Sequence, residues 1–281
     1  MFGAVEAGGT KFVCGIGTSP EDLRTVQIPT GEPGITIRSV IGYFRDANVS
    51  AIGIGSFGPI CTDRSSSNWG FITSTPKLAW RNTDLARPIG KALGVPVGFD
   101  TDVNAAALGE ARWGAAQGVS DFLYLTVGTG IGGGAVAGGR VVHGKSHPEM
   151  GHIRVPHDWN TDPFAGCCPY HGDCLEGLAS GPAIETRWGK PAAELPPDHP
   201  AWALEARYLA LAVNNFICTL SSKRVILGGG VMHQTQLLPL IKTELARLTS
   251  GYLELPDLVS PQLGDRAGVC GALVLAEQAQ N

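Results

Sequence analysis

The sequence predicts an α/β protein of two related lobes, and three observations lead to this fold class. Segments typical of strands alternate with segments of helical periodicity along the 281 residues, which predicts layered α/β structure. The stretches 3–17 and 122–137 share one plan, an apolar strand, a Gly/Thr turn and a second glycine-rich strand, which indicates two similar halves. The length suits a pair of ordinary domains better than one undivided domain. We therefore expect a central cleft between two lobes.

The individual elements follow from local patterns. A hairpin with a glycine-built turn is predicted over 3–17, and the buried strand 51–56 is ended by Gly58 and Pro59. A strand over 95–99 leads into an alanine-rich helix from Val103. The other predicted elements are a helix over 34–47, the strand–turn–strand unit 122–137, a loop-rich stretch over 148–182, a helix over 201–220, a strand over 224–227, a helix near 236–249 and a closing helix from about Ala267.

Composition excludes several classes of protein. With 43% apolar and 16% charged residues the chain can form a core, which excludes intrinsic disorder. A net charge of −4 without a basic run gives no electrostatic reason to expect nucleic acid or an anionic membrane as a partner. The N-terminal segment lacks the pattern of a signal peptide, and no uncharged stretch suits a bilayer span. We therefore expect a cytoplasmic protein.

Two Gly/Thr turns, over 7–10 and 128–130, are candidates for binding phosphate. Each can present consecutive backbone N–H groups to an anion, and a threonine hydroxyl adds a donor. Either turn alone is typical of an ordinary hairpin, and neither has the spacing of a P-loop. Together with the triple glycine 228–230, between a strand and a helix, they favour a nucleotide held between the lobes.

Asp102 stands where a predicted strand ends and a helix begins. Open α/β sheets place ligand-contacting residues at this position, which favours a catalytic base. Aspartate is also a good helix N-cap, and Asp100 competes for either role. The pattern by itself leaves base and cap equally open.

The most specific local pattern is a complete set of tetrahedral zinc ligands. Cys168, His171 and Cys174 have C-x2-H-x2-C spacing, and His152 lies sixteen residues before Cys168. Four protein ligands leave no open position, so the predicted zinc is structural and cannot activate water for hydrolysis. Cys167 is an alternative ligand, and unliganded cysteines in a loop are the alternative to a metal site.

The remaining cysteines and three further histidines are not predicted to belong to a site. Four scattered cysteines are expected to be buried as small hydrophobic residues: Cys14, Cys61, Cys218 and Cys270. Three histidines near the zinc motif lack ligand spacing and are expected to lie on the surface: His143, His147 and His157.

Two glutamates flank the zinc motif. Glu149 lies three residues before His152, and Glu176 lies two residues after Cys174, so that a bound zinc would hold both near one place. Carboxylates accept hydrogen bonds strongly, and a pair of them suits the vicinal hydroxyls of a sugar. A solvated surface glutamate is the alternative for each.

Six motifs, taken together, resemble a known family. They are Glu6–Lys11, Asp100–Glu110, Thr126–Gly134, Glu149–His152, Cys168–Glu176 and Ile226–Val231. In order and spacing they resemble the ROK family of sugar kinases and repressors, most of all its bacterial fructokinase branch. The resemblance implies the actin-like, hexokinase-type (ribonuclease H-like) α/β fold. It implies a smaller lobe over 1–112, on which the closing helix 267–281 packs, and a larger lobe over 113–266 that holds the zinc loop.

The resemblance also implies ATP-dependent phosphorylation of a hexose hydroxyl, with Mg2+ and a structural Zn2+. The family's catalytic aspartate falls on Asp102, which decides between base and cap. Its sugar contacts fall on Asn104, Glu149, His152 and Glu176, and its zinc ligands on His152, Cys168, His171 and Cys174. Its phosphate turns fall on Gly8, Gly9, Thr10 and Lys11 and on Gly128, Thr129 and Gly130, and its adenosine-side glycines on Gly228, Gly229 and Gly230. Glu6 is a candidate magnesium contact.

The chain departs from many members of the family at Glu6 and Thr101, where they have Asp and Asn. Both changes resemble the fructokinase branch, as does the segment Thr75–Trp80, which is expected to face the sugar. Repressors of the family carry an added helix-turn-helix, for which there is no room before residue 7. The resemblance therefore implies a kinase that converts D-fructose to fructose 6-phosphate, and a homodimer, since members of the family are often dimeric. The alternatives are a glucokinase, mannokinase or N-acetylhexosamine kinase of the same family, and a non-catalytic sugar sensor.

Overall fold

Two five-stranded sheets with helices packed on them form the protein, whose residues 1–280 are described by a computed structural model. The strands are β1 (Phe2–Ala7), β2 (Lys11–Gly17), β3 (Arg24–Pro29), β4 (Ile52–Ser56), β5 (Phe71–Ile72), β6 (Thr83–Asp84), β7 (Val97–Thr101), β8 (Phe122–Val127), β9 (Ile131–Ala137), β10 (Arg140–Val141), β11 (Arg224–Gly228) and β12 (Asp257–Val259). The helices are α1 (Pro33–Phe44), α2 (Ala86–Leu93), α3 (Asp102–Trp113), α4 (Leu175–Ala179), α5 (Gly181–Trp188), α6 (Ala201–Leu220), α7 (Leu237–Thr249) and α8 (Ala267–Gln280).

The chain divides into two units, each assembled from separate segments. Unit 1 comprises Met1–Gly118, Val141–Pro148 and the chain from Gln262 onward, and unit 2 comprises Val119–Arg140 and Glu149–Pro261. These bounds differ from the predicted lobes, because unit 1 also takes residues 113–118, 141–148 and 262–266.

The sheet of unit 1 has the strand order β3-β2-β1-β4-β7. β1 and β2 form the antiparallel hairpin predicted over 3–17, whereas β4 pairs with β1 and β7 in parallel. α8 packs on β1, β4 and α3. The approach is close, since a Cβ on Gly53 of β4 would lie 1.8 Å from the carbonyl oxygen of Ala272. Only glycine fits at this position, and the closing helix is therefore an integral layer of unit 1.

The sheet of unit 2 repeats this plan with the order β10-β9-β8-β11-β12. β8 and β9 form the second predicted hairpin, and β11 pairs in parallel with β8 and β12. The predicted helix 201–220 coincides with α6, whose inner face packs on α7. The described residues include no helix that is both long and apolar enough to cross a membrane.

Two of the predicted elements were wrong in their bounds, the helix over 34–47, which ends at Phe44, and the strand over 95–99. The strand predicted over 95–99 begins at Val97 and continues to Thr101. Val95 instead donates its N–H to the carbonyl of Gly90 at 3.2 Å and so closes the end of α2. The stretch over 148–182 is loop-rich as predicted, and it also contains the short helix α4 and the start of α5, which are too short for a periodic pattern to show.

Two of the four cysteines and two of the three histidines differ from expectation. Cys14 and Cys270 are buried, but Cys61 is half-buried and Cys218 lies on the solvent side of α6.

The side chains of His147 and His157 are buried, and each ring has polar partners within the fold. The Nε2 atom of His147 accepts the N–H of Ile60 at 3.0 Å. The ring of His157 contacts Asp173 and the carbonyl of Asp162 and packs against Trp159. His143 is exposed as predicted.

Candidate active site

The first Gly/Thr turn joins β1 to β2 and leaves backbone donors unpaired. The Gly8 N–H donates to the Lys11 carbonyl at 3.0 Å, and the Gly8 carbonyl accepts from the Thr30 hydroxyl at 2.7 Å. The N–H groups of Gly9 and Thr10 have no acceptor within residues 1–280. Thr10 and Lys11 are exposed. The turn thus has the free N–H groups that an anion site requires.

Asp102 is the first residue of α3, but it does not cap that helix. The cap is Thr101, whose hydroxyl accepts the Asn104 N–H at 3.1 Å. Asp102 is half-buried, and its Oδ1 atom accepts the N–H of Val103 at 2.9 Å. The cap role at the start of α3 therefore belongs to Thr101 and not to Asp102.

Asp100 connects three groups around the start of α3. Its buried Oδ1 atom accepts the Thr101 N–H at 2.8 Å and the Asn104 amide at 2.7 Å. Its Oδ2 atom lies 2.9 Å from Nε2 of His143, and this hydrogen bond raises the His143 pKa. Asn104 is only 1% exposed, and its Oδ1 atom has no partner among the described residues. Asn104 therefore lies in the interior beside Asp100, although the family resemblance makes it a sugar contact.

Glu6 lies at the end of β1, beside the beginning of α8. Burial of its carboxyl and the charge of Asp102 raise the Glu6 pKa to about 7, while Lys11 and a hydrogen bond from the Val269 N–H act in the opposite direction. Glu6 and Asp102 are thus close enough for each charge to disfavour the other.

In unit 2 the structure brings the second Gly/Thr turn and the triple glycine together. Gly229 has a φ of 91°, and a Cβ there would lie 2.4 Å from the Val127 carbonyl oxygen, so glycine is required by both conformation and space. Gly128 lies beside Gly230, since a Cβ on Gly128 would lie 3.8 Å from the Gly230 nitrogen. The Gly128 carbonyl also accepts the Gly181 N–H at the start of α5, at 2.8 Å.

The two predicted sugar-binding glutamates are also brought together in unit 2. Glu176, in the first turn of α4, accepts the N–H of Ile131 through Oε2 at 2.9 Å, directly after the second Gly/Thr turn. Partial burial, with a further contribution from the charge of Glu176, raises the pKa of Glu149, and His152 lowers it. The two carboxylates therefore interact, as a pair that grips neighbouring hydroxyls would.

His152, Cys168, His171 and Cys174 converge on one point of unit 2. Their candidate ligand atoms all lie within 4.8 Å of one another. The two Nδ1 atoms are 3.3 Å apart, and the sulfur–Nδ1 distances are 3.6 to 3.8 Å. Tetrahedral zinc with Zn–N of about 2.05 Å and Zn–S of about 2.3 Å has nitrogen–nitrogen edges of about 3.3 Å and sulfur–nitrogen edges of about 3.6 Å. The donor set and its spacing therefore fit this ion.

Cys167 does not belong to this cluster. Its sulfur lies 4.0 Å from the Ser180 hydroxyl, whereas Cys168 and Gly172 exchange two backbone hydrogen bonds that close the ligand loop. Of the two adjacent cysteines, the structure places Cys168 in the cluster.

A buried ionic network in unit 2 was missed by the sequence analysis. Asp162, 3% exposed, accepts two hydrogen bonds at 3.1 Å from Arg187 and one at 2.6 Å from the Tyr208 hydroxyl. The backbone carbonyl of Asp162 contacts Nε2 of His157. The other ring nitrogen of His157 lies 3.3 Å from Asp173, which precedes Cys174 of the Cys/His cluster. No local pattern signals it, because the partners of Asp162 are 25 and 46 residues away.

A turn with two free N–H groups, an aspartate at a strand–helix junction and four Cys/His side chains with metal-ligand spacing define a class of protein, an α/β phosphoryl-transfer enzyme. The chain belongs to the ROK family, whose model matches residues 2–279.

Relatives and solved structures of the same family align over nearly the whole chain. A protein of Zymomonas mobilis named fructokinase is 44% identical, covering 100% of this chain and 98% of its own. A fructokinase of Pediococcus pentosaceus is 41% identical, covering 99% of this chain and 98% of its own. The structure of a ROK glucokinase from Streptomyces griseus with glucose and AMPPNP has a TM-score of 0.81 at 27% identity and covers 99% of both chains. The predicted actin-like, hexokinase-type fold class is thereby confirmed.

Proposed function

We propose that this protein is an ATP-dependent fructokinase, which transfers the γ-phosphoryl group of Mg-ATP to the 6-hydroxyl of D-fructose. The observation that carries the kinase activity is the position of Asp102, first in α3 with the cap role taken by Thr101. The choice of fructose rests on the relatives named fructokinase, which are 44% and 41% identical to this chain, against 27% for the glucose-bound glucokinase.

In this reaction Asp102 accepts the proton of the fructose hydroxyl as that oxygen attacks the γ-phosphorus. The bond to the β-γ bridging oxygen breaks, and ADP leaves. Phosphoryl transfer depends on alignment and charge neutralisation, which the N–H groups of Gly9 and Thr10 are suited to supply. Glu149, His152 and Glu176 bind sugar hydroxyls, and Gly128–Gly130 with Gly228–Gly230 bind the nucleotide.

Magnesium neutralises phosphate charge when it is bound with ATP. Glu6 is the candidate protein contact, and a cation there would relieve the unfavourable interaction between Glu6 and Asp102. The four donors of the Cys/His cluster hold a structural zinc, which fixes the loop between Glu149 and Glu176. His152 joins this metal site to the sugar pocket. Thiolate ligands require a reducing compartment, so the cytoplasm is the proposed location. The proposal of a homodimer rests on the family resemblance.

The test is ADP production from Mg-ATP with fructose, glucose, mannose and N-acetylated hexoses, with identification of the sugar phosphate. We expect turnover with fructose well above the others. Turnover with another hexose would assign the kinase to that sugar, and sugar binding without turnover would make the protein a sensor. Light scattering of the purified chain tests the homodimer.

A further inference from the structure

The segment between β5 and β6 is anchored on the β1–β2 hairpin. Trp80, 1% exposed, packs on Phe12 with ring centroids 5.4 Å apart, and its Nε1–H donates to the Gly31 carbonyl at 3.0 Å. Within the segment, Arg81 donates to the carbonyl of Thr75 at 2.8 Å. These contacts fix the backbone between Thr75 and Trp80, which carries Lys77.

Lys77, carried by this segment, lies against the first Gly/Thr turn. A Cβ on Gly9 would be 3.2 Å from Cε of Lys77, and the ammonium nitrogen is bonded to that carbon. Lys77 is exposed and has no acidic partner among residues 1–280. The same turn holds the unpaired N–H groups of Gly9 and Thr10. An unneutralised cation and two free N–H groups at one turn are complementary to a phosphate oxygen.

The phosphate at this turn is identified by the neighbouring base. Glu6, which begins the turn motif, pairs in register with Gly55 of β4, and a Cβ on Gly55 would lie 3.4 Å from Cα of Asp102. A phosphate held just beyond Glu6 is therefore on the side of the residue that receives the proton. In a kinase this is the phosphoryl group being transferred.

We propose that Lys77 is a catalytic residue that contacts the γ-phosphoryl group of ATP, together with the N–H groups of Gly9 and Thr10. The proposal rests on the proposed kinase function. It moves Lys77 from the sugar side, where the sequence suggested that Thr75–Trp80 would lie, to the nucleotide. As the phosphoryl group moves from ATP to the sugar, the ammonium neutralises charge on its peripheral oxygens.

The test compares nucleotides that differ by the γ-phosphoryl group. Dissociation constants of Mg-AMPPNP and Mg-ADP are measured by calorimetry, without sugar, for the wild type and for Lys77→Met and Lys77→Arg. Lys91→Met, at the exposed end of α2, is the matched control. We expect Lys77→Met to weaken the binding of AMPPNP relative to that of ADP by about tenfold or more, because a charge-assisted contact is lost. Lys77→Arg should retain most of the preference for AMPPNP over ADP, and Lys91→Met should keep this preference within about twofold of the wild-type value.

Steady-state kinetics provide the second readout. The assigned role predicts that Lys77→Met lowers kcat and leaves the KM for fructose within about twofold. Three results in Lys77→Met would each overturn the assignment. They are an unchanged ratio of the AMPPNP and ADP dissociation constants, an equal loss of affinity for both nucleotides, and a rise confined to the KM for the sugar. A wild type without sugar-dependent turnover would refute the kinase function, whereas the nucleotide constants would still decide the position of Lys77.

Discussion

Glu6 makes the stability of the protein depend on pH in a direction opposite to that of most carboxylates. Its pKa is raised from 4.5 to about 7 by burial and by the charge of Asp102. Between these two values the unfolded chain loses the proton while the folded chain retains it. The contribution of Glu6 to the free energy of unfolding is therefore complete below about pH 4.5 and is lost as the pH rises to about 7.

The size of this effect follows from the two pKa values. With 1.36 kcal/mol for each unit, the free energy of unfolding should fall by about 2.5 kcal/mol between about pH 5 and about pH 8 through Glu6 alone. Glu6→Gln removes the titration and keeps a side-chain oxygen that can accept the Val269 N–H. The free energy of unfolding is measured with urea, without magnesium or chelator, for the wild type and for Glu6→Gln. The difference between the two proteins should change by that amount over this pH range. Glu254→Gln, at an exposed site, is the control.

A difference between wild type and Glu6→Gln that stays constant within about 0.5 kcal/mol over this range would refute the reasoning. It would mean that the Glu6 carboxyl is hydrated or neutralised by a cation in the folded protein. Repeating the titration with magnesium separates these two causes, because only a bound cation would make the result depend on the metal.

Three other changes have expected outcomes. Asp102→Asn should lower kcat by about a hundredfold or more while the dissociation constant for fructose, from calorimetry, stays within about threefold; wild-type turnover would exclude the general base. Cys174→Ser should reduce zinc, measured by elemental analysis, from about one ion per chain, and lower the melting temperature; full metal content would contradict the ligand assignment. Arg187→Met leaves the buried Asp162 carboxylate without its cation and should cost about 3–5 kcal/mol in urea unfolding, whereas Arg247→Met, in an exposed ion pair, should cost less than about 1 kcal/mol.

The parts of the site that the sequence predicted are those whose chemistry is local in the chain. The hairpins around Gly9 and Thr129 follow from alternation and glycine placement. Cys168, His171 and Cys174 lie in one short stretch, and few arrangements of these residue types serve any purpose but metal binding. These features depend little on how distant segments pack.

The parts that could not be predicted depend on distant partners. His147 resembles any loop histidine until its ring is seen to accept the N–H of Ile60, 87 positions away. Asn104 was expected to contact the sugar from the family resemblance, yet Asp100 holds its amide in the interior. Cys218 has apolar neighbours in sequence, but the helical repeat turns it outward. Burial and pairing at these positions are set by tertiary packing, which no window of sequence contains.

The way unit 1 is assembled bears on how the protein is made. Its sheet begins with β1, yet the helix that covers β1 and β4 is α8, which is synthesised after both segments of unit 2. A ribosome-bound chain that has produced the whole of unit 2 still exposes the apolar face of β1 and β4. β1 and β4 must therefore wait for α8 before their core can close, and chains that terminate before α8 would expose this face to chaperones and proteases.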